Sequence, residues 1–343
     1  MSSISAPAAP RRVCVAVPTF RRPDLLTELL SKIGSQDLGA ITLELVVIDN
    51  DPACSARSIV AAFAERARFS VCYESLPSAA LSGIRNHAIA AAEERHALLV
   101  MIDDDESPSP DWLKQLVAVQ SDTDADAVIG PVPPQFPAGA PQWVIDGKFF
   151  DLAQAPDRSL VDDGYTGNCL IRVESVRAMN LAFDTRMDRS GGEDQLFFRQ
   201  MHARGGRIAY AARAIATEAV APERLTARWL LRRNVRKGHT IAICDRRIDG
   251  TPRALAIRAA KALGLFATGL VLFIPRALER GVAGAMRSAC DAARGIGMVM
   301  GLLGIRMNYY ALRGTGKPPI ARRAAAATDA PQGVRPSRAA KSR

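Results

Sequence analysis

Three consecutive carboxylates, Asp103, Asp104 and Asp105, end the apolar run Val100-Met-Ile102, and Glu106 follows them. Adjacent like charges repel, so a fold that holds them at a strand end needs a counter-charge, and hard oxygen ligands favour Mg²⁺ or Mn²⁺. In an extended segment Asp103 and Asp105 point to one side and Asp104 to the other. Two carboxylates can then serve one metal–nucleotide complex, leaving the third for a ribose or a backbone amide. The run also reads as a solvated acidic turn, because Ser107-Pro-Ser-Pro-Asp-Trp112 looks like a helix start. A second acid pair, Glu193-Asp194, follows Ser190-Gly-Gly192 and precedes an apolar helical pattern, which puts both acids in a first helical turn.

The elements that must position these acids are visible as alternating patterns. Val13–Val17 and Leu43–Ile48 are short apolar runs closed by Pro18 and by Asp49-Asn-Asp-Pro52, and they read as buried strands. Between them Leu25, Leu26, Leu29, Leu30 and Ile33 mark an amphipathic helix beginning near Pro23. Helices are expected at 55–66 and 82–95, and strands at 69–74 and 97–102. Strand–helix alternation implies a Rossmann-like sheet flanked by helices, with a ligand crevice beyond the carboxyl ends of its strands. Thr19, Asp49 and the Asp103–Asp105 run all sit at such ends and should converge. Further on, Ala127–Val132 reads as a strand followed by a Pro/Gly-rich loop through Trp143, and Tyr165–Arg172 as a strand with a polar mouth.

The net charge of +10 conceals a division. Residues 1–220 carry 21 Lys/Arg against 29 Asp/Glu, a net −8, whereas residues 221–343 carry 24 against 6, a net +18. A nucleic-acid binder would carry its basic face on the folded domain itself, so this distribution argues against that class. It fits an enzyme held against anionic lipid. The six cysteines are scattered without metal or redox spacing and read as reduced core residues. The first ten residues lack an apolar signal core, and a cytoplasmic location is expected.

From Arg224 the composition becomes rich in Leu, Ala, Gly and Arg. The uncharged stretch 262–275 is shorter than the roughly 20 residues of a spanning helix, and a second apolar run covers 295–305. These read as re-entrant or interfacial helices, with a helical hairpin packed on the soluble domain as the alternative. The expected organisation is a disordered N-terminus (1–10), a catalytic domain (11–235), a helical, basic and apolar membrane-associating region (236–313) and a disordered basic tail (314–343).

The segments VAVPTFRRPDLLTELLSKI, LVVIDND, GIRNHAI, VMIDDDESPSPDWL, TGNCLIR and GGEDQLFFRQMHARGG, in this order across residues 12 to about 210, resemble a family 2 glycosyltransferase of the GT-A fold. The likeness extends to bacterial exopolysaccharide glucosyltransferases of the succinoglycan type. It implies an α/β architecture, a GT-A Rossmann-like mixed sheet flanked by helices with a helical membrane-associating extension. It also implies that Pro18 and Thr19 line the nucleotide base and that Asp49, assisted by Asp51, accepts hydrogen bonds from it. Arg85 would contact the nucleotide. Asp103 and Asp105 would bind Mn²⁺ or Mg²⁺, Asp105 most directly, with Asp104 near the ribose. Gly167 and Asn168 would shape the donor-sugar pocket. Asp194 would be the general base, with Glu193 orienting it or touching the acceptor. The implied partners are a nucleotide sugar, such as UDP-glucose, and a lipid-linked saccharide at the cytoplasmic face of the inner membrane.

The basic segment Arg228–Gly238 lacks the Gln-x-x-Arg-Trp form of processive synthases, which points to single sugar addition. Two other classes compete. A nucleotidyltransferase would want a Gly-rich loop after the first strand, where this chain has Pro18-Thr-Phe-Arg-Arg22, and a non-catalytic membrane adaptor would need neither acid cluster.

Overall fold

The computed structural model describes residues 11–77, 79–93 and 96–307. The expected disordered termini, 1–10 and 314–343, lie outside the described residues. The catalytic half alternates strands and helices: β1 (Arg11–Thr19), α1 (Pro23–Gly34), β2 (Ile41–Asp49), α2 (Arg57–Ala64), β3 (Ser70–Ser75), α3 (Leu81–Glu93) and β4 (Leu98–Ile102). It continues through β5 (Glu106–Pro108), α4 (Trp112–Thr123), β6 (Ala127–Ile129), β7 (Pro134–Gln135), α5 (Gln142–Asp146), β8 (Leu160–Val161) and β9 (Asn168–Arg172). After these come α6 (Val173–Ala178), α7 (Glu193–Ala203), β10 (Ile208–Tyr210) and β11 (Ala216–Ala219).

Eight strands form one sheet in the order β3-β2-β1-β4-β9-β6-β10-β8. The β3-β2-β1-β4 part is parallel, β9 runs against both β4 and β6, and β8 runs against β10. Burial on both faces explains why β1, β2 and β4 are continuous apolar runs rather than alternating ones. Parallel register pairs Thr19 with Asp49 and brings the carboxyl end of β4 beside them, so the polar strand ends share one edge. The antiparallel pairing of Ile102 with Asn168 adds the start of β9 to that edge. A small second sheet, β5-β11-β7, sets Glu106 opposite Glu218.

A helical region follows: α8 (Ala227–Ile248), α9 (Pro252–Val271) and α10 (Phe273–Leu302), the last sharply kinked at Arg280 and Gly281, whose backbone is non-helical. The domain boundary expected at 235 falls inside α8, because Thr226 caps a helix whose apolar face is buried as far as Cys244. The apolar stretch 262–275 contains the turn at Leu272 that joins α9 to α10. Glycines let these helices touch backbone to backbone. A Cβ on Gly238 would stand 2.0 Å from the Arg294 carbonyl oxygen, and one on Gly297 would stand 1.9 Å from that of Val235. Gly301 lies against His239 and Ala242, so α8 and α10 advance in the same direction. Gly269 and Gly295 bring α9 close to α10 as well, running the opposite way, with an added Cβ 2.6 Å from the Ser288 and Ala262 carbonyl oxygens.

Among the described residues, Pro252–Val271 is the one helix long and apolar enough to cross a membrane. Its apolar side is largely uncovered, and the α9–α10 turn exposes Leu263, Leu270, Val271, Ile274, Leu278 and Val282.

Replacing Gly238 with Ala should force α8 and α10 apart and lower stability by about 1–3 kcal/mol. Gly264→Ala, where nothing lies within 4 Å of the added carbon, should instead stabilise by about 0.5–1 kcal/mol. Urea denaturation of the two variants checks the contrast, and similar midpoints would refute the backbone-contact account.

Candidate active site

The three acids after β4 lie on a turn, in which the Glu106 amide donates to the Asp103 carbonyl at 3.2 Å. The expected extended alternation is therefore replaced by a tighter arrangement. Its counter-charge is Arg22, just past the end of β1. One guanidinium nitrogen donates to Asp104 Oδ1 and to Asp105 Oδ2, each at 2.8 Å. Thr19 Oγ1 donates to the other Asp104 oxygen at 2.9 Å. Burial raises the Asp104 carboxyl above its ordinary pKa even with Arg22 beside it. Both Asp104 oxygens are thus engaged within the protein. Arg224 approaches Asp105 at 3.9 Å from the start of the helical half.

Glu106 is buried, and its Oε2 has no hydrogen-bond partner. Burial, with Asp103, Asp105 and Glu218 nearby, pushes its carboxyl well above the usual range. Gly167 faces it, and a Cβ there would meet Glu106 Oε1 at 2.2 Å. This explains why the loop before β9 has a glycine at that point.

Pro18, Arg85 and Asp103 line one small pocket together with Ile48, Ile84 and Thr166. The structure therefore unites three predicted donor-site residues from β1, α3 and the β4 turn. Asp49 is different. It is 0% exposed, accepting from the Asp51 and Ala56 amides and from the Tyr73 hydroxyl, each at 2.9 Å. Its carboxylate fastens the β2–α2 turn, so as placed it does not face a base. Asp51 accepts from Arg21 Nε at 3.0 Å and from the Ala53 amide at 3.2 Å.

Asn168 is also 0% exposed. Its Oδ1 accepts from Trp112 Nε1 at 2.8 Å, and its Nδ2 donates to the Pro131 and Ala214 carbonyls at 3.0 and 2.7 Å. The amide bolts α4, β9 and two loops together. It holds the walls of this region in place.

The second acid pair begins α7. Gly191 and Gly192 have φ of 73° and 89°, a conformation that favours glycine. A Cβ on Gly192 would lie 2.1 Å from Thr240 Cγ2, so α8 closes against the start of α7 there. Glu193 is buried and accepts from Arg85 Nη1 at 2.5 Å, while its Oε2 has no hydrogen-bond partner. Burial pushes the Glu193 carboxyl up, and Arg85 works against that shift. Asp194 is half-buried, and its Oδ1 accepts from the Gln195 amide at 2.8 Å. Of the two acids, Asp194 is the more exposed. Arg85, on this small pocket and bonded to Glu193, connects the two predicted sites.

Arg22, Glu106 and Arg224 were not singled out from the sequence. Arg22 carried a readable signal, a cation at a strand end facing an acidic run. Glu106 lay inside that run, but its burial depends on pairing with the distant β11.

Residues 14–179 match glycosyl transferase family 2. Over 295 residues the chain is 32% identical to the succinoglycan biosynthesis protein ExoM of Rhizobium meliloti (strain 1021), covering 85% of this chain and 93% of ExoM. This chain belongs to glycosyl transferase family 2. Among solved structures it resembles the mannosyltransferase PcManGT of Pyrobaculum calidifontis in complex with GDP-Man and Mn²⁺, with a TM-score of 0.54, 20% identity and coverage of 86% and 88% of the two chains. S. aureus TarS 1-349 in complex with UDP gives a TM-score of 0.49 at 16% identity, with coverage of 85% and 92%. The mixed sheet with flanking helices is the GT-A-like fold. Membership in an inverting glycosyltransferase family sets aside the nucleotidyltransferase and adaptor alternatives.

The residues of this family 2 glycosyltransferase fit a divalent cation. Among the described residues no group of three His, Cys, Asp or Glu side chains could hold a metal alone. Mg²⁺-type sites, however, use one or two carboxylates together with substrate phosphates; Asp103 lines the pocket, and Asp105, two residues on, is bonded to Arg22.

Asp163 supplies a titration test of the base region. Its carboxylate accepts from Gln195 Nε2 at 2.7 Å and from the Gly164 amide at 2.8 Å. Burial pushes its pKa up to about 6, with Asp194 adding to the shift. The folded state then holds this proton across a pH window in which the unfolded chain has released it, so stability falls as pH rises from about 4 to about 6. A shift of this size corresponds to about 2–3 kcal/mol. Asp163→Asn should flatten that part of the stability–pH curve. An unchanged slope in denaturation measured from pH 4 to 7 would contradict the assignment.

Proposed function

We propose that this family 2 glycosyltransferase transfers a hexose, glucose from UDP-glucose, with inversion onto a lipid-linked saccharide in bacterial surface-glycan synthesis, at the cytoplasmic face of the inner membrane. The observation that carries the reading is the connection through Arg85. It lines the pocket shared by Pro18 and Asp103, and it grips Glu193 beside the accessible Asp194. Donor-end and acceptor-end chemistry are thereby held at one crevice. Relationship to ExoM, a succinoglycan biosynthesis protein, supports the assignment to exopolysaccharide synthesis.

In this mechanism Pro18 lines the nucleotide base, with Thr19, Asp49 and Asp51 supporting that end through the turns they fix. Asp103 and Asp105 would hold Mn²⁺ or Mg²⁺, and the bound cation would supply positive charge to offset that of a leaving diphosphate. Arg85 presents its guanidinium toward a phosphate while Glu193 fixes its orientation. Gly167 leaves room for the Glu106 carboxyl, and the loop that carries it shapes the sugar end of the pocket. Asp194 removes the proton of the acceptor hydroxyl as that oxygen attacks the anomeric carbon opposite the nucleotide. The bond to the nucleoside diphosphate breaks as the new glycosidic bond forms.

Asp194→Asn should reduce transfer by about 10²–10⁴-fold while UDP-glucose still binds in the presence of Mn²⁺. Calorimetry of donor binding beside a transfer assay, each with and without EDTA, separates the steps. Full turnover by the variant, or turnover unaffected by chelation, would reject the mechanism.

Membrane placement is supported by the exposed apolar α9–α10 turn. A triple replacement, Leu270→Ser, Ile274→Ser and Leu278→Ser, should move the protein from the membrane fraction to the supernatant. Complete retention in the membrane pellet would count against insertion of this turn.

A further inference from the structure

A cavity of about 80 Å³ opens past the carboxyl end of β6, between residues 131–134 and 151–154, with Tyr210 of β10 in its wall. It shares no lining residue with the pocket of Pro18, Arg85 and Asp103. The fold holds its walls firmly. Three of the four residues from 131 to 134 are prolines, whose φ is fixed by the ring. The Pro131 carbonyl accepts from Asn168 Nδ2 at 3.0 Å and from the Ala216 amide at 3.2 Å, and the Pro133 carbonyl accepts from the Glu218 amide at 3.1 Å. Opposite them, residues 151–154 follow the buried Phe150, which stacks on Trp229. They lead into a turn tied to β10, where the Ala212 amide donates to Asp157 Oδ1 and the Tyr210 amide to the Ser159 carbonyl, each at 2.9 Å.

The lining groups define a ligand class. Asp151 is the only charged residue on the cavity, so a phosphate or another anion is repelled there. Among the described residues, neither Asp151 nor Gln154 has a side-chain hydrogen-bond partner, and both are exposed. A carboxylate accepts from several hydroxyls, while an amide both donates and accepts. The prolines and Leu152 supply apolar surface beside them. A pyranose ring matches this mixture, with apolar C–H faces and a rim of neutral hydroxyls. The volume holds several water-sized groups, such as the hydroxyls along one edge of a ring.

One loop shows which reactant that ring belongs to. Asp163 accepts from Gln195, the neighbour of Asp194, at 2.7 Å. Two residues on, the Tyr165 hydroxyl donates to the Gly130 carbonyl at 2.5 Å, next to Pro131 of the cavity, and Tyr210 and Glu106 both lie near Tyr165. Thr166 then lines the Asp103 pocket, Gly167 faces Glu106, and Asn168 holds Pro131. Residues 163–168 thus border the candidate base, the cavity and the Asp103 pocket in turn. A donor sugar hangs directly on the diphosphate at the Asp103 pocket, so a second ring one loop away belongs to the saccharide being extended.

The geometry points to this cavity as the subsite for a hexose ring of the acceptor saccharide, with Asp151 and Gln154 selecting the configuration of its hydroxyls. This inference rests on the transferase reading and names residues that would set its specificity.

The test is saturation-transfer NMR on full-length protein with UDP and Mn²⁺, using methyl β-D-glucoside, methyl β-D-galactoside and cellobiose as probes. Wild type should bind at least one of them and should distinguish the two epimeric methyl glycosides. Asp151→Ala should weaken that binding by about tenfold, the scale of one hydrogen bond to a charged group, and Gln154→Ala should reduce the discrimination between epimers. Asp146→Ala, a carboxylate loss at an exposed position of α5, should change neither. Circular dichroism confirms that each variant is folded, and UDP-glucose affinity with Mn²⁺ is measured by calorimetry for each. It should match wild type in Asp151→Ala and Gln154→Ala. Glycoside binding that survives in both variants overturns the subsite, as does equal binding of the two epimers by wild type. A loss of UDP-glucose affinity in the same variants would assign the cavity to the donor and reject the acceptor subsite. Normal UDP-glucose binding with no glycoside bound rejects the subsite alone, whereas failure to bind any nucleotide sugar rejects the transferase reading beneath it.

Discussion

The buried ion pair between Arg85 and Glu193 is the constraint on which the rest of the site depends. The partners are 108 residues apart, and their side chains are 6% and 4% exposed. Removing one member of such a pair strands the other charge and costs about 3–5 kcal/mol, so α3 and α7 are held in one relative position. Other bonds reinforce it. Asn86 exchanges two hydrogen bonds with the Phe183 backbone, and the Ser82 amide donates to Asp188. The loop leading into α7 is therefore laced to α3 along its length. The small pocket lined by Arg85 of one helix and the candidate base on the other then share one rigid frame, and preorganisation of this kind lets charge develop without moving the protein.

The helical half completes that frame. Thr240 fills the space left by Gly192, and Arg224 reaches toward Asp105, so α8 and the segment before it touch both ends of the crevice. Residues 221–343 carry a net +18, yet several of their cations are spent on the acidic half or on their own acids. Arg247 pairs with Asp184, Arg258 with Asp245 and Arg276 with Asp291. The charge division seen in composition is thus partly an internal seam between the halves as well as a surface property.

Much of this was legible in sequence because it depends on local periodicity. β1, α1, β2 and β4 follow from apolar runs and their Pro and Asp stops, and the glycine pair before Glu193 announces a helix start. Side-chain partners were not legible, since they depend on contacts across many residues. Asp49 and Asn168 look like ligand contacts by position, and only the fold reveals that Tyr73 and Trp112 already occupy them. Arg22 looked like part of a basic loop until the sheet brought it against Asp104 and Asp105. The helices after 250 were misjudged in extent because glycine-to-backbone packing leaves no hydrophobic period: Gly238, Gly269 and Gly295 contribute by what they lack.

The adjacent acids of α7 show how one fold can give two carboxylates different work. Successive helical positions are rotated by about 100°, so Glu193 enters the interior while Asp194 stays at the rim. Burial alone would favour a neutral Glu193, and Arg85 opposes it. That makes Glu193 a poor proton acceptor for a substrate, since its charge is already committed to a guanidinium. The same commitment fixes the backbone that carries Asp194. Chemistry at the rim and rigidity beneath it thus come from neighbouring residues, and exchanging their side chains would not exchange their roles, because those roles belong to the two directions in which the helix presents them.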